Sequence, residues 1–481
     1  MERDWNFGEG FPPRNVAIAG VSRNEGTSAP GYTGLGLLRI LSKAGFQGSL
    51  YPVNPYASVI EGLQVYPNVT AIPARLDLVI ITVPPAVVPQ VVRDCVKAKA
   101  LNVHICTSGF GETGREEGKR LEAEIKQIAL EGNLRVIGPN CMGFQIPSVR
   151  MQMHADTPPI PGPVAFVSQS GGHARIFLLR GPELGFGFSK AISYGNALLM
   201  DAADFLEYLG NDPETRIICL YLEGVKDGRR FMEMVKRINP VKPVLIWKGG
   251  LTSSGARAAM SHTASLAGDR KIWDAFFKQT GAIEVGSIDE MAEVTMTLLR
   301  LKPSPGKRAA VLAAGGGSSV ATGDICAQEG IELPALSEQT KTKLLEFISL
   351  VNQGVANPID VPNVVVDSPS LMRAYELLAA DSMIDMVILH LGAEFFLGPT
   401  LNAMAEVQKH VSNSAEHNPG IKPFMIALSS EGQVHDAEKY AHQLREIGVP
   451  AYSSLRAACR ALNRFANYYE FLDEVRPHAD S

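Results

Sequence analysis

The chain has 481 residues, of which 46% are hydrophobic, and its formal net charge is −5. At roughly 100–200 residues per domain, this length predicts about three domains with cores of their own. The chain has no long basic run, which argues against nucleic acid and anionic membrane as partners. Its first residues lack the apolar core of a secretory signal, and prolines interrupt the most apolar run, 76–92, so no membrane span is expected.

The six cysteines form no C-x-x-C pair, and several lie in apolar runs. This pattern predicts buried thiols in a reducing compartment, with neither a disulfide framework nor a metal site. We therefore expect a cytoplasmic protein.

Two proline-rich joints, 155–163 and 301–307, divide the chain into three predicted domains, 1–154, 164–300 and 308–481. Within each domain, short β-branched runs alternate with longer helical patterns. That alternation predicts an α/β fold with doubly wound parallel sheets. The predicted strands are 15–21, 49–54, 76–83, 102–108 and 135–140, then 163–170, 215–224 and 242–250, then 308–317, 385–392, 422–430 and 450–454.

In the first domain, a predicted strand ends at Ser22. A glycine-rich stretch, GYTGLG at 31–36, follows it and begins a predicted helix. This is a Rossmann-like arrangement, although G-x-x-G-x-G is not the dinucleotide fingerprint. In NAD-binding domains an acidic residue ends the second strand and holds the ribose, but here Asn54 and Pro55 stand there. An ADP group with an extra phosphate fits better. The residues do not separate CoA from NADP, and Arg23 suits either.

Each of the other two domains has a strand that runs into a glycine-rich turn and then a helix. The turns are Ser170-Gly171-Gly172 and Gly315-Gly316-Gly317. Such a turn exposes backbone N–H groups at the positive end of a helix, which favours an anion. A tight structural turn is the alternative interpretation of each.

The segment 254–270, SGARAAMSHTASLAGDR, is rich in small residues and contains one histidine, His262. No carboxylate lies within three residues to orient the imidazole, and no second histidine stands at metal-ligand spacing. His262 is therefore either a surface residue or a functional one whose partners come from elsewhere in the fold.

Twelve motifs, in order, resemble those of the α subunit of the NDP-forming acyl-CoA synthetases, relatives of succinyl-CoA synthetase. They are VAIAGVS, YPVNP, VPP (83–85), SGFGE (108–112), IGPNCMG (137–143), VSQSGG (167–172), SYGN (193–196), DFLEYLGNDPET (204–215), LYLEGVKDGR (220–229), KPVLIWKGG (242–250), SHTASLAG and NPIDV (357–361).

The resemblance covers nearly the whole chain and implies a CoA-binding Rossmann-like domain followed by two flavodoxin-like ligase domains. It implies that CoA binds at the strand ends of the first domain. The expected contacts are Gly20, Ser22, Thr33, Gly34, Asn54, Pro84, Ser108, Gly109 and Asn140.

The resemblance also makes His262 the phosphoryl carrier and Glu223 the carboxylate that holds its ring. An imidazole nitrogen can accept a phosphoryl group and release it again, which is nucleophilic covalent catalysis. A carboxylate would fix the tautomer of the ring. The two glycine turns, Ser170–Gly172 and Gly315–Gly317, are the expected phosphate sites.

The chain departs from the family pattern at a few positions. His173 and Arg175 replace small residues after the second-domain strand, and Ala264 replaces a glycine. These changes alter the expected acid pocket without removing a reactive group. His104 and His390 are expected to be structural.

Nothing in the chain resembles the ATP-grasp module that nucleotide-dependent relatives need. We therefore expect a hetero-oligomer in which a separate ATP-grasp β subunit supplies ADP or ATP and Mg²⁺, with acyl-CoA and a carboxylic acid as the other substrates. The alternatives are a nucleotide-independent CoA or acyl transferase and a CoA-binding regulatory protein. An NAD-dependent dehydrogenase is disfavoured by Asn54.

Overall fold

The computed structural model describes residues 7–22, 33–255, 257, 269–304, 306–313, 316–349, 354–392, 398–414, 421–429 and 434–475. The chain divides into two compact units. The first comprises residues 1–182 and 186–288, and the second comprises residues 183–185 and 289–481.

The first unit begins with a five-stranded parallel sheet in the order β2-β1-β5-β6-β7, beside a small β3–β4 hairpin. Strands β5 and β6 are buried throughout, as parallel strands are when helices cover both faces. The elements are β1 (Asn15–Ala19), α1 (Gly34–Ala44), β2 (Ser49–Val53), β3 (Val59–Ile60), β4 (Leu63–Gln64), β5 (Leu78–Ile81), α2 (Val88–Lys97), β6 (Asn102–Ile105), α3 (Glu116–Glu131) and β7 (Arg135–Ile137).

A second sheet follows in the same unit, in the order β13-β12-β11-β9-β10-β8. It is parallel except for β8, which pairs antiparallel with β10. The elements are β8 (Gly143–Gln145), β9 (Pro161–Ser168), α4 (Gly171–Glu183), β10 (Phe188–Ser193), α5 (Ala202–Asn211), β11 (Ile217–Leu222), α6 (Gly228–Ile238), β12 (Val244–Lys248), α7 (Arg270–Thr280) and β13 (Ile283–Glu284).

One hydrophobic core joins these two sheets. Phe11 from the start of the chain packs edge-on against Phe144 of β8, with ring centroids 4.9 Å apart. Phe7 packs in the same way against Phe205 of α5, at 5.2 Å. Because both aromatic pairs bury large apolar areas, the first two predicted domains share a core and form one compact unit.

The second unit contains a five-stranded parallel sheet in the order β15-β14-β16-β17-β18, around its own core. The elements are α8 (Ile288–Arg300), β14 (Ala309–Ala313), α9 (Gly316–Gln328), α10 (Glu338–Leu345), β15 (Ile359–Asp360), α11 (Ser368–Ala380), β16 (Met386–Gly392), α12 (Gly398–Ser414), β17 (Phe424–Ser429), α13 (Val434–Glu446), β18 (Ala451–Tyr452) and α14 (Leu455–Val475).

The three parallel sheets confirm the α/β fold predicted from the alternating pattern. In such sheets the carboxyl ends of the strands lie along one edge, and ligands bind there. The first unit places the carboxyl ends of β5 and β6 beside the first turn of α4, which is where the site lies.

Candidate functional site

A cavity of about 600 Å³ lies between the first sheet and the amino end of α4. The residues that follow β5 and β6 form one wall, and the turn Ser170–Gly172 forms another. Pockets of this size hold small molecules and cofactors. The lining residues are Thr82, Val83, Pro84, Pro85, Cys106, Thr107, Ser108, Asn140, Cys141, Met142, Gln169, Ser170, Gly171, Gly172, Gly195 and Asn196.

The segment between β7 and β8 brings the two sheets together at this cavity. It leaves the first sheet at Ile137, contributes Asn140, Cys141 and Met142 to the lining, and enters the second sheet at Gly143. The amide of Asn140 donates to Asn196 Oδ1 at 3.3 Å, and the backbone N–H of Met142 donates to Ser193 Oγ at 3.1 Å. These bonds fix the segment against the second sheet.

The predicted turn Ser170–Gly172 begins α4 and lines the cavity. Ser168 Oγ accepts from the backbone N–H of Ser170, and Ser170 Oγ accepts from the backbone N–H of His173. Gly171 is needed for close approach, because a Cβ there would lie 2.4 Å from Met142 Sδ. A helix amino end that faces a polar cavity favours a bound anion.

Glu223 follows β11 at the same edge and is 6% exposed. Tyr221 donates a hydrogen bond to Glu223 Oε1 at 3.3 Å. The side chain of Gln169 accepts from the backbone N–H groups of Glu223 and Gly224, at 2.5 and 3.0 Å. The predicted carboxylate is therefore buried and its backbone is fixed.

Two basic groups lie close to Glu223. Lys248, at the end of β12, donates to the backbone oxygens of Glu223 and Gly249, and burial lowers its pKa to about 8. His173 packs its ring against Tyr221 and Trp247, with centroids 4.3 and 4.7 Å away. Burial lowers the pKa of His173, and the Glu223 carboxylate partly opposes that shift. The lowered pKa favours the neutral form of the His173 imidazole at pH 7.

The predicted CoA contacts near the start of the chain have clear local roles. Thr33 caps α1 by accepting from the backbone N–H of Gly36 at 3.0 Å. A Cβ on Gly34 would lie 2.8 Å from the backbone of Gly20, so Gly34 allows α1 to approach the end of β1, whereas a Cβ on Gly20 would lie 2.8 Å from Thr82 Oγ1. Asn54 donates to the backbone oxygen of Val21 at 2.7 Å.

Asn54 therefore joins the ends of β1 and β2, a structural use that its position alone did not reveal. Ser22 follows β1 at the same edge of the sheet. Of the other predicted contacts, Pro84, Ser108 and Asn140 line the cavity. Gly109 lies beside them, and its backbone N–H donates to Glu112.

Two predicted features lie wholly or partly outside the described residues. His262 is in the segment 258–268, and Gly315 precedes α9. Gly316 and Gly317 are the first residues of α9, so the second glycine turn does lead into a helix in the second unit. The roles proposed for these residues stay predictions.

The remaining histidines singled out in the sequence are packed as expected. His104 is buried in β6, where Nε2 lies 3.3 Å from the backbone oxygen of Cys141, and burial lowers its pKa to about 4. His390 of β16 lies 3.1 Å from Thr322 Oγ1. Arg175 forms an ion pair with Asp156 on the surface.

Sequence reasoning missed Gln169, Asn196 and Glu112 as members of the site. Each lies inside a motif quoted for the family, so a signal was present. Their importance depends on contacts across the fold: Asn196 donates to Glu112 Oε2 at 2.6 Å over 84 positions of sequence.

Among the residues that the structure describes, no group of three or more His, Cys, Asp or Glu side chains is arranged to hold a metal ion. The helices in those same parts of the chain include none with the length and apolar character to cross a membrane.

Two parts of the chain match known protein families. Residues 14–147 match a CoA-binding domain, and residues 161–298 match a succinyl-CoA ligase-like flavodoxin domain. The two matches, in this order along the chain, are typical of the succinyl-CoA ligase superfamily.

Curated proteins with similar sequences indicate which members of this superfamily the chain resembles. The α subunit of acetate–CoA ligase (ADP-forming) II of Pyrococcus furiosus is 37% identical over 92% of this chain and 93% of that protein. Acetate–CoA ligase (ADP-forming) I of Archaeoglobus fulgidus is 34% identical over 98% of this chain, which spans 65% of that longer protein.

A solved structure supports the same assignment. Acetyl-coenzyme A synthetase 1 of Ca. Korarchaeum cryptofilum, in complex with phosphate and ADP, aligns with a TM-score of 0.82 at 28% identity. The alignment covers 98% of this chain and 100% of that chain. The chain belongs to the family of ADP-forming acyl-CoA ligases, in which its similarity is to the α subunits.

Proposed function

We propose that this chain interconverts acyl-CoA and phosphate with a carboxylic acid and CoA, and carries the phosphoryl group on His262 to ADP held by a separate subunit. The observation that carries the proposal is the single cavity shared by the strand ends of the CoA-binding domain and the amino end of α4. It gives a thioester and a phosphate one place to meet.

The chemistry proceeds in two transfers in the acyl-CoA direction. A phosphate oxygen attacks the thioester carbonyl, the C–S bond breaks, and CoA leaves while an acyl phosphate forms. A ring nitrogen of His262 then attacks phosphorus, the P–O bond to the acyl group breaks, and the acid leaves as a carboxylate. Splitting one difficult transfer into two easier ones is the advantage of a covalent intermediate.

The residues of the first unit suit these steps. The amino end of α4 stabilises the phosphate charge, as preorganised N–H groups do at a developing anion. Glu223 holds the second ring nitrogen of His262 and stabilises the positive charge of the phosphorylated ring. The cavity lining of Pro84, Ser108 and Asn140 suits the thiol end of CoA.

The nucleotide step belongs to a partner in this proposal. An ATP-grasp β subunit binds ADP and Mg²⁺ and accepts the phosphoryl group from His262. The purified chain alone should therefore form no ATP from acetyl-CoA, ADP and phosphate, whereas addition of the partner should restore turnover. Robust ATP formation by the isolated chain would reject the divided enzyme.

The decisive experiment is labelling of the chain with radioactive phosphate in the presence of acetyl-CoA. The label should be stable in base and labile in acid, as a phosphoramidate is and a phosphoserine is not. It should disappear in His262→Ala and persist in His442→Ala, an exposed histidine of α13. Label retained in His262→Ala would assign the phosphate to another residue. In the same preparations, calorimetry should show tighter binding of CoA than of NAD or NADP.

A further inference from the structure

Gln169 occupies the position between β9 and the Ser170 turn, and it is only 8% exposed. Its backbone N–H donates to the backbone oxygen of Tyr221 at 3.2 Å. Its side-chain oxygen accepts from both Glu223 and Gly224, at 2.5 and 3.0 Å. Gln169 therefore connects the anion-binding turn to the strand end that carries the predicted carboxylate.

These two hydrogen bonds fix the direction of the side-chain amide. Both partners are backbone N–H donors, so only the oxygen of Gln169 can accept them, and its NH₂ group points the other way. Within the described ranges, Nε2 has no hydrogen-bond partner in the protein. An amide donor without any hydrogen-bond partner is costly, so Nε2 needs water or a ligand as its acceptor.

Gln169 borders two cavities. One is the cavity of about 600 Å³ described above, and the other, of about 590 Å³, lies on the side of Gly224 and Lys226. The first contains the Ser170–Gly172 turn, whose N–H groups favour an anion. A donor one residue before that turn adds to the same set of N–H groups.

We propose that Gln169 is a phosphate-binding residue: Nε2 donates to an oxygen of the phosphoryl group at the amino end of α4, while Oε1 holds the Glu223 strand end. The inference rests on the proposed function, because the ligand is the phosphate of that reaction. Glutamine suits this double task, since one planar amide presents an acceptor and a donor in opposite directions.

Gln169→Glu separates the two roles. The carboxylate keeps the size and the acceptor that Glu223 and Gly224 need, but it replaces the donor with a negative oxygen. In phosphate labelling with acetyl-CoA, the phosphate concentration for half-maximal rate should rise about ten- to hundredfold, the range for loss of a hydrogen bond to a charged group. The acetyl-CoA dependence should stay close to that of the unaltered chain. The melting temperature should fall, because the new carboxylate is buried beside the Glu223 strand end.

Gln145 provides a matched control. Its Oε1 accepts from the backbone of Met153, but its Nε2 is satisfied inside the protein by the backbone oxygens of Thr157 and Pro158. Gln145→Glu should lower the melting temperature, because it removes internal donors, and leave the phosphate dependence unchanged. Gln169→Met, which removes both roles, should reduce stability and labelling rate together.

The outcomes separate the two proposals. An unaltered phosphate dependence in Gln169→Glu would overturn the role of Gln169 and leave the proposed function intact. Failure of the unaltered chain to take up phosphate would reject the proposed function and this inference with it.

Discussion

Two buried lysines at opposite ends of the second sheet have different kinds of partner. At the amino end, Lys190 of β10 is 1% exposed and lies 2.7 Å from carboxylate oxygens of both Asp212 and Glu214. At the carboxyl end, Lys248 of β12 is 4% exposed and donates to the backbone oxygens of Glu223 and Gly249. The first lysine is neutralised by side chains. Among the residues that the structure describes, the hydrogen bonds of the second go to backbone carbonyl oxygens.

This contrast fits the placement of the proposed site at the carboxyl end. Perturbed titratable groups collect where a protein binds or transforms a ligand. The carboxyl end has Lys248 with a pKa lowered to about 8, His173 with a lowered pKa, and the cavity beside Gln169. At the amino end, Lys190 is paired with carboxylates, and the half-buried Lys242 also has a lowered pKa because of burial. Neither lysine lines that cavity.

The largest effect should come from the carboxylate at the carboxyl end. Glu223→Gln keeps the size of the side chain and its ability to hydrogen-bond, but it removes the charge that we propose stabilises a phosphorylated imidazole. We expect the labelling rate to fall about 10²- to 10⁴-fold, as for loss of a positioned acid–base partner. Rapid-quench measurement with labelled phosphate checks this.

Glu207→Gln is the control for that measurement. Glu207 lies on α5, pairs with Arg230 and is 46% exposed, so its loss should leave the labelling rate nearly unchanged. Equal labelling rates in Glu223→Gln and the unaltered chain would reject the role proposed for Glu223.

The next effect should appear in stability at the opposite end of the sheet. Lys190→Met leaves Asp212, which is 7% exposed, without its cation. Breaking a buried ion pair by removing one partner costs about 3–5 kcal/mol. The free energy of unfolding, measured in urea, should fall by the lower part of that range, because the second carboxylate partner, Glu214, is 47% exposed.

The rate of phosphate labelling should not change in folded Lys190→Met, since the amino end lies away from the cavity. The double variant Lys190→Met with Asp212→Asn should recover part of the lost stability. A large rate change in Lys190→Met would contradict the separation of the two ends.

Substitution of two neighbouring glycines at the carboxyl end should have a smaller effect, and the two variants can be compared directly. A Cβ on Gly171 would lie 2.4 Å from Met142, a residue of the cavity lining, whereas one on Gly172 would have its nearest contact 3.8 Å away, at Ser170. Gly171→Ala should therefore displace Met142 and reduce kcat/KM for acetyl-CoA about tenfold, as small displacements at reacting groups do.

Gly172→Ala should retain kcat/KM and increase helix stability by about 0.5–1 kcal/mol, because alanine loses less entropy in a helix than glycine. Steady-state kinetics with the partner present compares the two variants. Equal losses in both would show that the turn itself, and not Met142, controls the reaction.

The smallest effect should be the pH dependence that Lys248 confers. Its ordinary pKa of 10.5 is lowered to about 8 in the fold. Between these values the unfolded chain holds a proton that the folded chain has released, so stability rises with pH across this interval and the cost of burial is complete below pH 8.

Lys248→Met removes this titration. The melting temperature of the unaltered chain, relative to that variant, should increase between pH 8 and 10, measured by calorimetry at several pH values. Lys271→Met, at an exposed position of α7, is the control for loss of a lysine charge. A flat difference for Lys248→Met would mean that the ammonium is better solvated than its 4% exposure indicates.

The sequence by itself determined most strands of the three large sheets, but it missed β8, β10, β13 and β15. The apolar run LVII became the buried strand β5, and each glycine-rich turn precedes a helix, because local period and turn chemistry depend on neighbouring residues. The same local motifs named Glu223 and His262 and led to the family. Pro84, Ser108 and Asn140, which are predicted to contact CoA, line one cavity, and their contact with CoA stays a prediction.

Only the tertiary structure decided how these pieces combine. Strand β8 crosses into the second sheet and pairs antiparallel with β10, so two predicted domains share one core. The double hydrogen bond of Gln169 spans 54 and 55 positions of sequence, and the lowered pKa of Lys248 follows from burial. Such contacts depend on strand order and packing, which the spacing of residues along one segment does not encode.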